Sequence, residues 1–259
     1  MASDDRNYVF GRKIDRKQIT TIYFRNKKEN IGEDAWDVSE KQNGSIMAWT
    51  EKRQDGLLDL YIAADGNIMA NRNCSYLFFN YGRLKNIFGL EFFRTDQTEN
   101  MRMMFLSSRS LENLDVSYFS TSQVTNMSSM FLGCSGLKSL DVSHFFTGQV
   151  TDMSYMFCDC NSLKSLDVSH FSTSQVKDME CMFCGCTDLE NLDVNRFDTK
   201  CVENMKNMFE RCNNLNLLDI SNFDTNSAKH LFVPFLKYLG VPQKVRLKTK
   251  KPGGLFREL

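Results

Sequence analysis

The 259 residues carry 32 Lys and Arg against 32 Asp and Glu, so the chain has no overall field to draw it to nucleic acid or to an anionic membrane. Direct nucleic-acid contact is therefore disfavoured. No apolar run approaches the ~18 residues of a membrane span, so no membrane span is expected, and Met1-Ala2-Ser3-Asp4-Asp5-Arg6 leads into no apolar stretch of the kind that opens a secretory signal. As written, the chain is expected in the cytoplasm.

Residues 1–72 hold strand-like runs: Ile19–Phe24, Ala35–Val38, Ser45–Trp49 and Leu58–Ile62. Asp65-Gly66, between Ile62 and Ile68, is a hairpin signal. The segment reads as a β-rich N-terminal cap, with Trp36 and Trp49 in its core and not an exposed binding pair.

Residues 73–229 repeat. An irregular unit, one residue longer than the rest, starts at Asn73, and five regular units start at Asn100, Asn126, Asp152, Asp178 and Asn204. Met-Phe returns at 104, 130, 156, 182 and 208, and Leu-Asp at 114, 140, 166, 192 and 218, a 26-residue period. Leu140-Asp141-Val142-Ser143 alternates as a strand does. Val124, Met127, Met130, Phe131 and Cys134 follow the spacing of one helix face after a Ser/Thr stretch suited to capping. A strand and a helical segment per unit predict an α/β repeat solenoid, a leucine-rich-repeat-like stack with one parallel sheet. Because one unit cannot bury its own apolar face, both ends need caps. Residues 230–259 are read as a C-terminal cap, with Val245-Arg246-Leu247 as a closing strand and Lys248–Lys251 as a solvated basic tail.

The motif L-x-x-L-D-V-S-x-F-x-T-x-x-V-x-x-M-x-x-M-F-x-x-C resembles the repeat of the BspA-like leucine-rich repeat surface proteins, over roughly residues 73–229. The resemblance implies a surface or secreted, adhesin-like module that binds another protein, with no chemistry in the repeats. It thus supplies the alternative to a cytoplasmic location. An intracellular regulator or inhibitor that occludes a macromolecular partner, such as a nucleic-acid-processing assembly, is the alternative function.

Eight of the nine cysteines lie between Cys134 and Cys212, and Cys134, Cys160, Cys186 and Cys212 share one register. Stacking predicts a buried ladder of reduced thiols acting as small apolar plugs. Rungs about 4.8 Å apart also admit disulfides between units. Cys158-x-Cys160 and Cys184-x-Cys186 offer four thiolates to zinc, but on a helix residues two apart point ~200° around the axis and would not converge. No metal site or cofactor is therefore assigned.

Asp115, Asp141, Asp167, Asp193 and Asp219 occupy one outward position. Such carboxylates repel their neighbours by roughly 1 kcal/mol per pair in water. Hydrogen bonds from Ser117, Ser143, Ser169 and Ser221 would offset that, and an acidic stripe for a basic partner is the functional reading. Beside it the units differ, at Tyr118, His144, His170, Arg196 and Asn222 and at Glu112, Lys138, Lys164, Glu190 and Asn216, where a ligand would be told apart. His144 and His170 are one repeat position, so their closeness comes from tiling. With no phosphate loop, zinc-hydrolase motif or nucleophile elbow, no catalytic residue is assigned and no enzyme is expected.

Overall fold

The computed structural model describes residues 8–227 apart from 11, 217, 221 and 225. The expected C-terminal cap, closing strand and basic tail lie outside the described residues. The described residues form eleven short strands: β1 (Tyr8–Val9), β2 (Arg12–Lys13), β3 (Ile19–Arg25), β4 (Trp36–Asp37), β5 (Ile46–Lys52), β6 (Leu58–Ala64), β7 (Ile68–Met69), β8 (Asn86–Phe88), β9 (Phe93–Arg94), β10 (Ser165–Leu166) and β11 (Asn191–Leu192).

The four expected N-terminal runs become β3, β4, β5 and β6, in a five-stranded mixed sheet ordered β4-β5-β6-β3-β8. Its period-2 alternation sends Ile22, Phe24, Leu60 and Ile62 into the core. Asp65-Gly66 does not make the expected hairpin. Gly66 turns the chain at φ 104°, and β7 runs on to pair in parallel with β9 of the first repeat instead of folding back on β6. Since β8 also comes from that repeat, cap and array share both sheets.

The α/β solenoid with one parallel sheet is not what forms. Among the described residues there is no α-helix; the helical content is two 3₁₀ turns, Arg16–Gln18 and Leu90–Phe92, and the sheets are mixed. The cause is in the backbone. Tyr76, Met103, Ser129, Tyr155, Cys181 and Asn207 recur with φ between 52° and 62°, a left-handed conformation that ends a right-handed helix within each turn. Four residues further on, Asn80, Ser107, Gly133, Asp159, Gly185 and Arg211 are left-handed again. Apolar residues at offsets of 3, 6, 7 and 10 suit such a chain of turns as well as they suit a helix, so Met127, Met130, Phe131 and Cys134 are buried without one.

Hydrogen bonding follows from this geometry. In the unit that starts at Asn100, the N–H groups of Met101, Met103, Phe105 and Ser107 reach Asn126, Ser128, Met130 and Leu132 of the next unit at 2.8–3.0 Å. Between them, Met104, Leu106 and Ser108 close turns within their own unit. Each unit is thus a rung tied to its neighbour, and parallel bridges run Asn73, Asn100, Asn126, Asp152, Asp178, Asn204. The strand expected in each unit keeps its alternation, with Leu140 and Val142 buried, but among the described residues pairs as a ladder only between β10 and β11.

Inside the stack the Phe of each unit lies on the next. Successive centroids from Phe78 through Phe105, Phe131, Phe157 and Phe183 to Phe209 are 5.1–5.7 Å apart, with planes within 17° of parallel. A second column is polar: buried Thr121, Thr147 and Thr173 each donate a hydroxyl to a carbonyl one rung on, at 3.0–3.1 Å. Thr147 also accepts from Ser172 N–H at 2.8 Å, so one side chain serves both backbone groups. At the first rung, Phe79 O corresponds to Leu106 O, which takes the N–H of Asn80. No rung precedes it, and the buried Arg16 guanidinium donates to it at 2.9 Å instead.

One column holds misplaced charge. Asn73, Asn100, Asn126, Asp152, Asp178 and Asn204 each accept the N–H two residues on, closing the turn that starts the rung. Two adjacent members are carboxylates, and burial, together with the charges of Asp152 and Glu180, raises the Asp178 pKa above its ordinary 3.8 despite hydrogen bonds from Glu180 N–H and Asn204. A carboxyl whose folded pKa is raised binds its proton more tightly in the fold than in the unfolded chain, so its contribution falls as pH rises through that window. Asp178→Asn keeps the turn acceptor and removes the charge. The variant is expected to melt higher than the parent near neutral pH, with the difference closing as pH falls below 3.8; melting curves across pH check it.

Candidate partner-binding face

The alternation of the repeat brings the expected acidic column to the surface. Asp115, Asp141, Asp167 and Asp193 are exposed and Asp219 is half-buried. In the first four, Oδ1 accepts the backbone N–H two residues on, from Ser117, Ser143, Ser169 and Asn195, at 2.9–3.0 Å. Sequence spacing placed the three serines nearby, while Ser221 lies outside the described residues and Asn195 was not among the expected donors. The closed turn explains why a short Asp holds the position. At Asp167 the Ser169 hydroxyl joins at 2.7 Å, and its two hydrogen bonds hold the carboxyl below the ordinary range. No hydrogen bond among the described residues takes Oδ2 of these four.

The neighbouring positions differ as expected. Tyr118 is exposed, and His144 lies beside the Ser143 hydroxyl with Nδ1 at 3.2 Å. His170 reaches back a rung, its Nε2 2.9 Å from Val142 O and its ring edge-on to Phe171. Hydrogen bonding from Ser143, with a smaller contribution from the nearby His144 and His170, holds the Asp141 carboxyl below its ordinary range. Arg196 and Asn222 are exposed at the same position, and Asn222 donates to Asn195 O. Lys138 pairs with Glu112 one rung back at 2.6 Å, while Lys164 stands exposed on the next. With both partners more than half exposed, the pair adds little stability. The face is a row of anions bordered by side chains of changing charge.

The cysteine column turns inward. Cys134, Cys160, Cys186 and Cys212 donate their S–H to the carbonyls of Phe105, Phe131, Phe157 and Phe183 at 3.1–3.2 Å, so they do more than fill space. Burial pushes Cys134 and Cys212 up to about 12, and raises Cys160 and Cys186 as well. Such thiols are poor nucleophiles at neutral pH. Cys158 and Cys184 lie elsewhere on the rung, Cys158 buried and Cys184 half-buried, both free thiols. Among the described residues no three His, Cys, Asp or Glu side chains form a metal-holding group.

One feature escaped the sequence reading: an aromatic row on the outer face of the N-terminal sheet. Trp49, Tyr61, Tyr23 and Phe88 belong to four adjacent strands, with centroids 5.3, 4.8 and 5.4 Å apart in that order. The Arg25 guanidinium lies 4.4 Å from the Tyr61 ring centre. Each aromatic was visible in its strand, but strand order and register were not. Trp49 itself is fully buried, as expected. A depression of about 1010 Å³ lies between the β4–β5 connection and β7, and is lined by Asp37, Lys41 and Met69 among others.

Rungs of turns in fixed register, with an invariant interior and a changing exterior, define a repeat protein. The chain belongs to the family described as "Mycoplasma protein of unknown function, DUF285", whose model matches residues 72–166 and again 159–239. The narrower likeness to the BspA-like proteins is not part of that match. No curated protein and no solved structure matches the chain. Among the described residues no helix is long and apolar enough to cross a membrane.

Proposed function

We propose that this is a non-catalytic protein-binding module whose repeat-built face recruits a basic partner surface. The observation that carries the reading is the column Asp115, Asp141, Asp167 and Asp193, each exposed and held at Oδ1, while no hydrogen bond among the described residues takes Oδ2. Anions fixed in a row attract a cationic surface without the cost of ordering them on binding. Tyr118, His144, His170 and Arg196 beside the row would set which basic surface fits. The resemblance of the repeat to the BspA-like surface proteins supports the same class of activity.

The test uses the turn itself. Asp→Asn at all four positions keeps the Oδ1 acceptor and deletes the charge, so the fold is expected to persist. Binding of a decalysine peptide, followed by fluorescence anisotropy at low salt where screening reaches only beyond about 30 Å, is expected to weaken on the order of tenfold or more. Raising salt is expected to weaken the parent and leave the variant nearly unchanged. Equal affinity of the two proteins at low salt would sink the proposal.

A further inference from the structure

One wall of the depression between the β4–β5 connection and β7 is a strand edge. Residues 67–74 line it in unbroken order, and β7 lies within that run. On one edge β7 pairs with β9, in the register Ile68↔Phe93 and Met69↔Arg94, and Ala70 N–H is bonded to Arg94 O at 2.8 Å. In a parallel ladder a residue bonds to the two that flank its partner, so Arg94 takes Ile68 and Ala70, and the N–H and C=O of Met69 turn to the opposite edge. No hydrogen bond among the described residues takes either group. Met69 is 52% exposed, whereas Ile68 beside it is buried in the core.

We propose that this cleft receives an extended, uncharged segment of a partner protein, added as a strand along the open edge of β7. An extended backbone is what offers a C=O and an N–H at the spacing Met69 requires, and its period of two sends every second side chain to one face. That face meets an apolar floor: Phe24, Ile62, Ile68 and Phe93 line the depression and belong to the core. The opposite wall is set in advance. Asp37 Oδ1 accepts the Ser39 N–H at 2.8 Å and the Ser39 hydroxyl at 2.6 Å, Oδ2 accepts the Gly44 N–H at 2.6 Å, and the Lys28 ammonium donates to Gly44 O at 3.0 Å. A wall already ordered lowers the cost of binding. The charges lining the cleft are matched: Asp65 faces Lys28 at 3.3 Å, Arg72 faces Glu99, Glu40 stands next to Lys41, and both oxygens of Asp37 are taken up by its own loop. A charged segment gains nothing there, which separates this contact from the acidic face.

The probe is the peptide acetyl-Thr-Val-Thr-Val-Thr-amide, titrated into the isotope-labelled full chain and followed by its amide resonances. The Met69 amide is expected to shift and to exchange with solvent more slowly as peptide is added. The same peptide N-methylated at every residue keeps its side chains and loses every N–H, and it is expected to bind on the order of fivefold or more weakly. Met69→Pro deletes the outward N–H and leaves the β9 pairing intact, at a position where an edge strand tolerates proline. It is expected to weaken the unmethylated peptide by a similar factor, while Met69→Leu leaves the affinity unchanged. Melting temperatures check both folds, and if the proline variant does not fold the comparison of the two peptides decides. Binding is expected to be insensitive to salt and to survive Asp→Asn at all four acidic positions. Equal binding of the two peptides, or a Met69 amide that does not respond, overturns the added strand and leaves the acidic face standing.

Discussion

Phe157→Ala is expected to destabilise the protein by about 3–5 kcal/mol, the range for deleting a fully buried aromatic ring. Phe157 has no exposed surface and sits mid-column, 5.6 Å from Phe131 and 5.7 Å from Phe183. Truncation therefore removes two stacking contacts and leaves a gap between rungs that the cross-rung hydrogen bonds prevent from collapsing. Phe157 N–H is bonded to Met182 O at 2.9 Å and Phe131 N–H to Met156 O at 2.9 Å, so the backbone on both sides is pinned. In a stack where each unit contacts only its neighbours, the loss is local. Hydrogen exchange is expected to show the rungs around Phe157 opening first, while β3, β5 and β6 keep their protection. Phe157→Leu, which keeps most of the apolar volume, is expected to cost less. Urea unfolding of the three proteins measures the difference, and equal stability of the parent and Phe157→Ala would refute the stacked column.

Gly89→Ala is expected to have an effect of similar size at the joint between the sheet and the first rung. Gly89 has φ 79°, and a Cβ placed there would stand 2.1 Å from the carbonyl oxygen of Phe24. The obstacle is backbone, on the strand β3 that pairs directly with β8, so neither side can yield without breaking the parallel pairing Ile22↔Ile87 and Tyr23↔Phe88. The left-handed conformation adds about 1–2 kcal/mol for a residue with a side chain, and overpacking about 1–3 kcal/mol more. Gly133→Ala provides the comparison: its φ is 72°, but a Cβ there would have its nearest neighbour at 3.6 Å, so only the conformational part applies. A Gly89→Ala protein that melts within a degree or two of Gly133→Ala would show that the close approach to Phe24 is not decisive.

These two positions also mark what was readable in advance. The period of 26, the unit boundaries and the inward set of Leu, Val, Met and Phe followed from the chain alone, because each is a recurrence of residue type and burial repeats with it. The outward aspartates followed for the same reason: alternation in Leu140-Asp141-Val142-Ser143 requires one face in and one face out whether or not a ladder forms. The N-terminal strands were legible from their β-branched and aromatic runs, and the cysteine column from its register.

What the sequence could not decide was the hydrogen-bond partner of each backbone group. The spacing of Val124, Met127, Met130, Phe131 and Cys134 fits an α-helix and a chain of turns equally, and nothing in Met103, Tyr155 or Cys181 announces a left-handed residue, since those side chains ordinarily avoid it. The choice is made between rungs. A neighbouring unit offers carbonyls at the right height for alternate N–H groups, and that regular supply compensates a conformation that an isolated segment would not adopt. The same holds for the aromatic row, whose members come from strands far apart in the chain and which exists only once β8 of the first repeat joins the N-terminal sheet. The sequence by itself determined which residues recur and which face they bury. The tertiary structure decided how the backbone satisfies itself, because that depends on groups one rung away, and local sequence carries no record of them.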